Sequence, residues 1–418
     1  LSGAGGHGGA GGGEAGAGGA GGGEAGAGGA GGGEAGAGGA GQAGGGAAGA
    51  GGGASGAGGG ASGEGGASGE GGAGGCGGGT VDCSGVCVDT KTDAANCGAC
   101  GKACGGGQAC CGGACADLSD DELHCGACGH DCQGGACTDG ACQPVVLAEA
   151  AGVPLALTVD ATHVYWTHAD VGAIMKVPLA GGAPVTVAES CPSYGIAVNA
   201  ANVYWTCAEP PGVVRAPLGG GPPARIVTGL EDPVGLALDA AGIYVGDTYA
   251  VRRAPLEGGV AQLLAFGNGS RRVAVDGKHA YWANSDSSTI RKVPTTGGPA
   301  VTLASGYFES HEIVLDAAHA YWTTPGEGPG TGSVNKAAKA GGTPVALASG
   351  EIFPYYLAID ATHVYWASLG AVGAIRRVPV GGGKPATLAA GVAPLDLAVD
   401  GTSVYWTDQS GRVMKLAK

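Results

Sequence analysis

From residue 144 onward, short apolar and β-branched runs alternate with turn-forming Gly, Pro and Asp residues. In the first unit these runs are LALTVD (155–160), HVYWT (163–167), AIMKVPL (173–179) and APVTVA (183–188). Short runs bounded by such turn residues are typical of β-strands. A glycine pair, Gly181-Gly182, follows the third run and permits the positive φ that a tight hairpin needs. Each unit therefore predicts four short strands.

The unit recurs with a period of about 40 residues, which is typical of a propeller or solenoid. Its anchor is an Asp or Asn at the end of the first strand, followed five and six positions later by Tyr-Trp, with Val245 replacing Trp once. We expect the anchor side chain to accept a backbone N–H two residues on. The anchors are Asp160, Asn199, Asp239, Asp276, Asp316, Asp360 and Asp400.

The two ends of the repeat region predict how it closes. The seventh unit lacks a fourth strand, whereas an orphan strand, PVVLA at 144–148, precedes the first unit. We expect this orphan to pair beside residues 412–416, because that pairing completes the last sheet and removes two open edges. The predicted fold class is therefore all-β, a seven-bladed β-propeller closed by an N-terminal strand.

Composition divides the chain into residues 1–75, 76–142 and 143–418. About half of the 95 glycines lie in the first 80 residues, where GGGEAGAGGA occurs three times in succession. This first region has almost no apolar bulk to offset the entropy of ordering, so it predicts a disordered Gly/Ala-rich tether. Residues 143–418 are the predicted propeller.

Residues 76–142 form a duplicated cysteine-rich module, called the neck here. Cys83, Cys87, Cys97, Cys100 and Cys104 recur 28 residues later as Cys111, Cys115, Cys125, Cys128 and Cys132. Disulfides are the favoured interpretation, with a connectivity that the sequence leaves open, and zinc bound by the C-x-x-C pairs is the alternative. We interpret His124 and His130 as solvated loop residues and expect no metal ligands.

Cysteine usage also indicates the compartment. The neck holds 14 of the 16 cysteines and too few large apolar side chains to fold without cross-links, so it favours an oxidising environment. No apolar span is long enough to cross a membrane. We expect a secreted protein or one anchored at the outer surface of a bacterial envelope, with any export signal or lipid-attachment site upstream of Leu1. The net charge of −15 argues against nucleic acid as a partner.

One column of the repeat varies strongly and supplies the candidate binding site. The residues four positions before each anchor are Ala156, Gly195, Gly235, Arg272, Glu312, Tyr356 and Asp396, and Tyr194, Arg271, His311 and Tyr355 adjoin them. Counting along the strands places this column at the mouth of the central channel. A small binding pocket and an ion cluster that merely plugs the channel both fit the pattern.

Two other columns repeat too regularly to indicate function. His163, His279, His319 and His363 each follow an anchor by three positions, so we interpret them as turn residues. A third-strand column of cations is interpreted as a solvated ring that discourages edge pairing; its members are Lys176, Arg215, Arg253, Lys292, Lys336, Arg377 and Lys415.

Cys191 and Cys207 are the two cysteines outside the neck, and both belong to the second unit. Cys191 precedes that unit's first strand and Cys207 ends its second, so the hairpin between them brings both toward the face that carries the channel mouth. We expect a disulfide between them, since two nearby thiols seldom stay free in an oxidising compartment.

The repeat resembles known propeller families. Tyr405-Trp406-Thr407-Asp408 reproduces the motif of the YWTD propellers of lipoprotein receptors, which have six blades, and DPVGLALDAAGIYV (232–245) resembles NHL-like and seven-bladed streptogramin-lyase-like propellers. The order of tether, neck and propeller resembles exported, often lipid-anchored bacterial proteins. The resemblance implies an architecture more than an activity.

The favoured function is binding: an exported or surface-tethered head for an envelope, glycan or protein partner. The alternatives are a structural adhesin or stalk protein and a propeller lyase or hydrolase acting at the channel mouth. No catalytic residues and no cofactor are predicted, because the chain has no G-x-S-x-G, paired zinc histidines or phosphate loop. His311 beside Glu312 is the one acid–base candidate, although neighbouring strand residues face opposite ways.

Overall fold

The structure is a computed structural model that describes residues 76–150, 152–168, 171–267, 269, 272–285, 287–370 and 372–418. The predicted tether, residues 1–75, lies outside the described residues. From Cys76 to Lys418 the described chain lies within one compact unit, and its regular secondary structure consists of β-strands. The described residues contain no helix that could serve as a membrane span.

Seven antiparallel sheets of four blade strands each confirm the predicted propeller. Blade one comprises Pro154–Val159, His163–His168, Ala173–Pro178 and Val185–Glu189. Blade two comprises Ile196–Val198, Asn202–Cys207, Gly212–Pro217 and Ala224–Thr228, with Gly259–Val260 added in parallel at its outer edge. Blade three comprises Gly235–Asp239, Gly242–Gly246, Ala250–Ala254 and Gln262–Phe266. Blade four comprises Val273–Val275, His279–Asn284, Thr289–Pro294 and Val301–Ser305.

The last three blades complete and close the ring. Blade five comprises Ile313–Leu315, His319–Thr324, Gly332–Ala338 and Val345–Glu351. Blade six comprises Pro354–Ile359, His363–Ser368, Ala374–Pro379 and Ala386–Ala390. Blade seven comprises Pro394–Val399, Ser403–Asp408, Arg412–Ala417 and, as its outer strand, Val145–Glu149. Arg412 pairs with Glu149 and Lys415 with Val145, so the N-terminal closure predicted from the sequence is confirmed.

The Tyr-Trp pair explains how neighbouring blades pack. Successive strand residues point to opposite faces, so the Tyr and the Trp of one blade enter different interfaces. Tyr165 of blade one packs in a buried cluster with Trp205 of blade two, while Trp166 packs with Tyr405 of blade seven. Between blades two and three, Val245 takes the place of the Trp beside Tyr204. The dipeptide thus belongs to the core between blades.

The anchor aspartate holds the turn between the first two strands. Asp160 Oδ1 accepts hydrogen bonds from the backbone nitrogens of Thr162 at 2.7 Å and His163 at 2.8 Å. Its other oxygen, Oδ2, accepts a hydrogen bond from the hydroxyl of Tyr165 at 2.8 Å. One carboxylate therefore fixes both the turn and the buried tyrosine, which explains the constant spacing of five residues.

The third-strand cations tie blades together, so the interpretation of this column as a solvated ring was wrong. Six of the seven side chains donate to the backbone carbonyl of the residue three positions after the matching cation of the next blade. The observed pairs are Lys176–Leu218 (2.6 Å), Arg215–Leu256 (3.2 Å), Arg253–Thr295 (3.3 Å), Lys292–Lys339 (2.6 Å), Lys336–Val380 (2.7 Å) and Lys415–Leu179 (3.0 Å). The last pair links blade seven to blade one across the closure.

The neck consists of three two-stranded hairpins held by disulfides. The hairpins pair Val81–Asp82 with Cys87–Val88, Gln108–Cys111 with Ala114–Asp117, and Cys137–Thr138 with Ala141–Cys142. The disulfides are Cys76–Cys87, Cys83–Cys100, Cys97–Cys110, Cys104–Cys115, Cys111–Cys128, Cys125–Cys137 and Cys132–Cys142. The last three repeat the connectivity of the preceding three, as the duplicated spacing implies.

His130 is a docking residue of the neck, and its interpretation as a solvated loop residue was wrong. It is half-buried, with Nδ1 2.6 Å from the carbonyl oxygen of Cys125 and Nε2 2.8 Å from that of Lys418. By repeat register, Lys418 O is the acceptor expected for Arg377, the remaining member of the cation column. The neck therefore contacts the propeller at the interface of blades six and seven.

Candidate functional site

Threonines that follow the Tyr-Trp pairs position the backbone of the channel mouth. Thr323 Oγ1 lies 3.3 Å from the backbone nitrogen of Glu312 and donates a hydrogen bond to the carbonyl of Tyr355 in the next blade at 2.6 Å. Thr407 likewise donates to the carbonyl of Leu155 at 2.8 Å, from blade seven to blade one. The threonine that follows the Tyr-Trp pair thus fixes the backbone position at which side chains enter the mouth.

Three charged side chains from blades four, five and seven meet at the centre. Arg272 Nε lies 3.2 Å from Glu312 Oε2, and Arg272 Nη2 lies 3.7 Å from Asp396 Oδ2. The guanidinium carbon stands 5.8 Å from the ring centre of Tyr356 of blade six, within the range of a cation–π contact. One partly buried cation, with a side chain 18% exposed, therefore contacts two carboxylates and a phenol ring.

Asp396 is fixed by the backbone as well as by Arg272. Its Oδ2 accepts a hydrogen bond from the nitrogen of Leu157 in blade one at 2.8 Å, and its Oδ1 accepts one from the nitrogen of Leu397 at 2.9 Å. A buried carboxylate with this many donors holds its geometry. Asp396 is therefore the rigid member of the cluster, and it also joins blade seven to blade one.

Burial governs the ionisation of the cluster. It raises the pKa of Glu312 to about 7, because desolvation outweighs the attraction of Arg272 and the charge of Asp396 adds to it. Desolvation also raises the pKa of Asp396, against the opposing effect of Arg272. The pKa of Arg272 lies above its ordinary value, since Glu312 and Asp396 outweigh the cost of burial. Burial, with the charge of Asp396, raises the pKa of Tyr356 to about 12.

A cavity of about 230 Å³ lies over this cluster. Its lining alternates between two columns of the repeat, four and five positions before the anchor. The lining residues are Leu155, Ala156, Tyr194, Val234, Arg272, His311, Tyr356 and Leu395. Arg272 is the one charged side chain among them, so Glu312 and Asp396 support it from outside the cavity lining.

Aromatic rings form one side of the cavity. The ring of His311 meets Tyr355 edge-on at 5.0 Å between centroids and Tyr356 at 5.6 Å. Tyr194 of blade two contributes a third ring to the lining and remains 49% exposed. Edge-to-face contacts of this kind restrain ring orientation, so His311 and Tyr356 are held in place whereas Tyr194 is accessible.

The open side of the mouth is maintained by a close backbone approach. A Cβ atom at Gly195 would lie 2.3 Å from the carbonyl oxygen of Val234, so blade two has no room for a side chain at this point of the column. Ala156 of blade one is buried and small. The cavity therefore lies where the first blades leave space beside the polar cluster.

The structure brings Arg272, Glu312, Tyr356, Asp396 and His311 together at the mouth, with Tyr194 at its edge. Arg271 lies outside the described residues. The apolar lining residues, Leu155, Val234 and Leu395, were not predicted from the sequence. These three share the column of Tyr194 and His311, five positions before the anchor, and that common register is the signal that could have identified them.

Cys191 and Cys207 form a disulfide in blade two, with 5.7 Å between their Cα atoms. Both are buried in the cluster that also contains Trp205. The loop entering the first strand of blade two, which carries Tyr194, is thereby tied to the end of the second strand. The disulfide restrains one side of the mouth without lining the cavity.

Two cysteine trios are the groups of close metal-type ligand atoms in the described part of the chain, Cys97 with Cys104 and Cys115, and Cys125 with Cys132 and Cys142. Every one of these sulfurs belongs to a disulfide and is therefore not a thiolate ligand. Within the described residues, no trio containing Glu312 or Asp396 has ligand atoms that close.

The neck is similar to a known family of small proteins. The profile of the Stigma-specific STIG1-like protein family matches residues 74–144. No curated protein is similar enough to the chain to count as a match.

Solved structures that are similar in fold to this chain share little of its sequence. The selenomethionine-substituted virginiamycin B lyase of Staphylococcus aureus has a TM-score of 0.56 at 13% identity, over 66% of this chain and 98% of the lyase. A streptogramin B lyase has a TM-score of 0.53 at 12% identity, over 66% and 97%. The hydrazine synthase of Kuenenia stuttgartiensis has a TM-score of 0.53 at 16% identity, over 65% and 97%. At these identities the likeness shows the fold alone, and the streptogramin-lyase resemblance holds for architecture.

Proposed function

We propose that the chain is an exported binding protein whose propeller head recognises an envelope, glycan or protein partner through the channel mouth. The observation that carries the proposal is the cavity of about 230 Å³ over the buried Arg272 cluster, with the exposed ring of Tyr194 at its edge. A concave site with apolar walls and a few fixed polar groups is the usual form of a ligand site.

Export rests on the disulfides. The eight disulfide bonds of the described chain are compatible with an oxidising, extracellular environment, where such bonds persist. We extend this to a protein secreted or held at the outer surface of a bacterial envelope, with the glycine-rich residues 1–75 as a spacer.

The geometry favours binding over turnover. Each polar group of the mouth has a structural partner: Arg272 contacts both carboxylates, and Asp396 also accepts two backbone hydrogen bonds. Glu312 is engaged with Arg272 and lies outside the cavity lining. A general acid or base must reach the reacting atom, and this arrangement better supports orientation of a bound group.

The test compares two exposed tyrosines on the face of the propeller that carries the channel mouth. Tyr194 is 49% exposed at the cavity, and Tyr249 is 54% exposed in the loop between the second and third strands of blade three. The full chain and its Tyr194→Ala and Tyr249→Ala variants are incubated with envelope fragments, a glycan array and a panel of extracellular proteins. We expect retention that Tyr194→Ala abolishes and Tyr249→Ala preserves.

Two results would contradict the proposal. Equal retention of both variants would place binding away from the mouth. Absence of retention on all three kinds of probe would favour a structural head in which the charged side chains at the centre only plug the channel.

A further inference from the structure

The size of the cavity limits what the mouth can hold. Drug-sized ligands occupy pockets of roughly 300–1,000 Å³, and this cavity measures about 230 Å³. It therefore suits one small chemical group, such as the terminal unit of a larger partner, with the rest of that partner outside the mouth.

The lining has two chemically different sides. Leu155 and Leu395, in the first strands of blades one and seven, and Val234, just before the first strand of blade three, provide aliphatic surface. Tyr194, Arg272, His311 and Tyr356, from blades two, four, five and six, provide aromatic faces and hydrogen-bonding groups. A ligand that satisfies both sides must itself carry an apolar face and several hydroxyl or amide groups.

The charges of the cluster disfavour a charged ligand, because one guanidinium faces two carboxylates and burial raises the pKa of Glu312 to about 7, which leaves the cluster between neutral and one negative charge near that pH. A cationic ligand would meet Arg272, the one charged side chain of the cavity lining. An anionic ligand would approach the same guanidinium, but Glu312 at 3.2 Å and Asp396 at 3.7 Å already offset its charge. A buried charge needs a partner of opposite sign, and among the described lining residues an anionic group would find only Arg272, which two carboxylates already engage.

A neutral sugar residue meets these three requirements. A pyranose ring has an apolar C–H face that stacks on an aromatic side chain, and its hydroxyls accept from and donate to charged or polar groups. Hydrogen bonds to an ionised group are stronger than those between neutral groups, so a guanidinium held in place by two carboxylates offers strong, oriented donors to a neutral ligand. Tyr194 offers the accessible ring, and Arg272 offers the donors.

We infer that the mouth binds a single uncharged sugar residue at the end of a glycan. This inference rests on the proposed function and specifies the chemistry of its ligand. The free glycan of a secreted polymer and the glycan of an envelope component share this chemistry, and soluble polysaccharide and isolated envelope fragments distinguish them as sources in the retention experiment.

The experiment uses matched sets of monosaccharides that differ only in charge. Glucose, galactose, mannose and their N-acetylamino derivatives form the neutral set, the corresponding amino sugars form the cationic set, and the uronic acids form the anionic set. Binding to the full chain is followed by saturation-transfer NMR and by competition with a retained glycan. We expect at least one neutral sugar to bind at least tenfold more tightly than its charged counterparts, and Tyr194→Ala to weaken it at least tenfold while Tyr249→Ala leaves it unchanged.

The outcomes separate this inference from the function on which it rests. If an amino sugar or a uronic acid binds more tightly than its neutral counterpart, the inference is wrong and the binding function stands. If no sugar binds while a protein probe is retained in a Tyr194-dependent way, the ligand is a peptide group and the inference is again wrong. If nothing is retained at all, the proposed function fails with it.

Discussion

Replacing Glu312 by glutamine tests how the channel mouth carries its charge. Glu312 is 9% exposed, and burial raises its pKa from 4.5 to about 7. A carboxyl group whose pKa is raised in the folded state contributes stability that is fully present below the unfolded pKa and is lost as the pH rises through the folded pKa. For this shift the loss is on the order of 3 kcal/mol between pH 4.5 and 7.

The expected result follows from that sign. Glutamine is neutral at every pH, so Glu312→Gln should match the original chain near pH 4.5 and exceed its free energy of unfolding by about 2–3 kcal/mol at about pH 8. Urea unfolding followed by tryptophan fluorescence, at several pH values in this range, measures the difference. A difference between variant and original chain that does not change with pH would refute the assigned ionisation.

The matched control is Glu257→Gln. Glu257 also pairs with an arginine, at 3.6 Å from Arg215, but its side chain is 91% exposed. An exposed pair contributes little, so this substitution should leave the unfolding free energy unchanged across the same range. The anchor Asp276 titrates elsewhere: hydrogen bonds outweigh burial and lower its pKa to about 2, so the stability that it contributes is lost only as the pH falls through that value.

Two further predictions concern the strand that closes the propeller and the disulfide of blade two. Deletion of residues 145–149 should lower the free energy of unfolding by more than about 4 kcal/mol, because it exposes the edge of blade seven and removes the buried Leu147. Deletion of the loop residues 327–330 should lower it far less. Thermal unfolding followed by circular dichroism compares the two variants, and equal midpoints would contradict the closure. Replacing Cys191 and Cys207 together by alanine should cost about 3 kcal/mol for a loop of this length, measured by urea unfolding, and free thiols at both positions in natively exported protein would contradict the bond.

The repeat was predictable because its signal is local. Asp160 and Tyr165 lie five residues apart in the sequence and hydrogen-bond to each other in the fold, so the spacing seen in the sequence directly reflects the contact. The closing strand was predictable because an unpaired strand edge is costly, which leaves one place for residues 144–148. The order of elements thus follows from short-range chemistry repeated around a ring.

The contacts between blades were not predictable in the same way. The sequence places a cation at Lys176 but does not show that its ammonium reaches the carbonyl of Leu218, 42 residues later. The column was therefore misread as solvated. His130 was misread for the same reason, since its partner Lys418 is 288 residues away. Repeat register shows which residues are equivalent. Which of them are in contact depends on the twist and spacing of the blades.

The mouth combines both kinds of information. Register identifies Arg272, Glu312, Tyr356 and Asp396 as occupants of one ring, yet it does not decide whether they fill the channel or line a space. That outcome depends on blade two, where the approach of Val234 O excludes even a Cβ at Gly195. Because that column cannot supply a side chain there, the neighbouring column provides Tyr194, which lies at the edge and stays exposed. The cavity beside Arg272 and its two carboxylates therefore results from the close backbone contact at Gly195 of blade two. The same contact leaves the ring of Tyr194 exposed to a ligand.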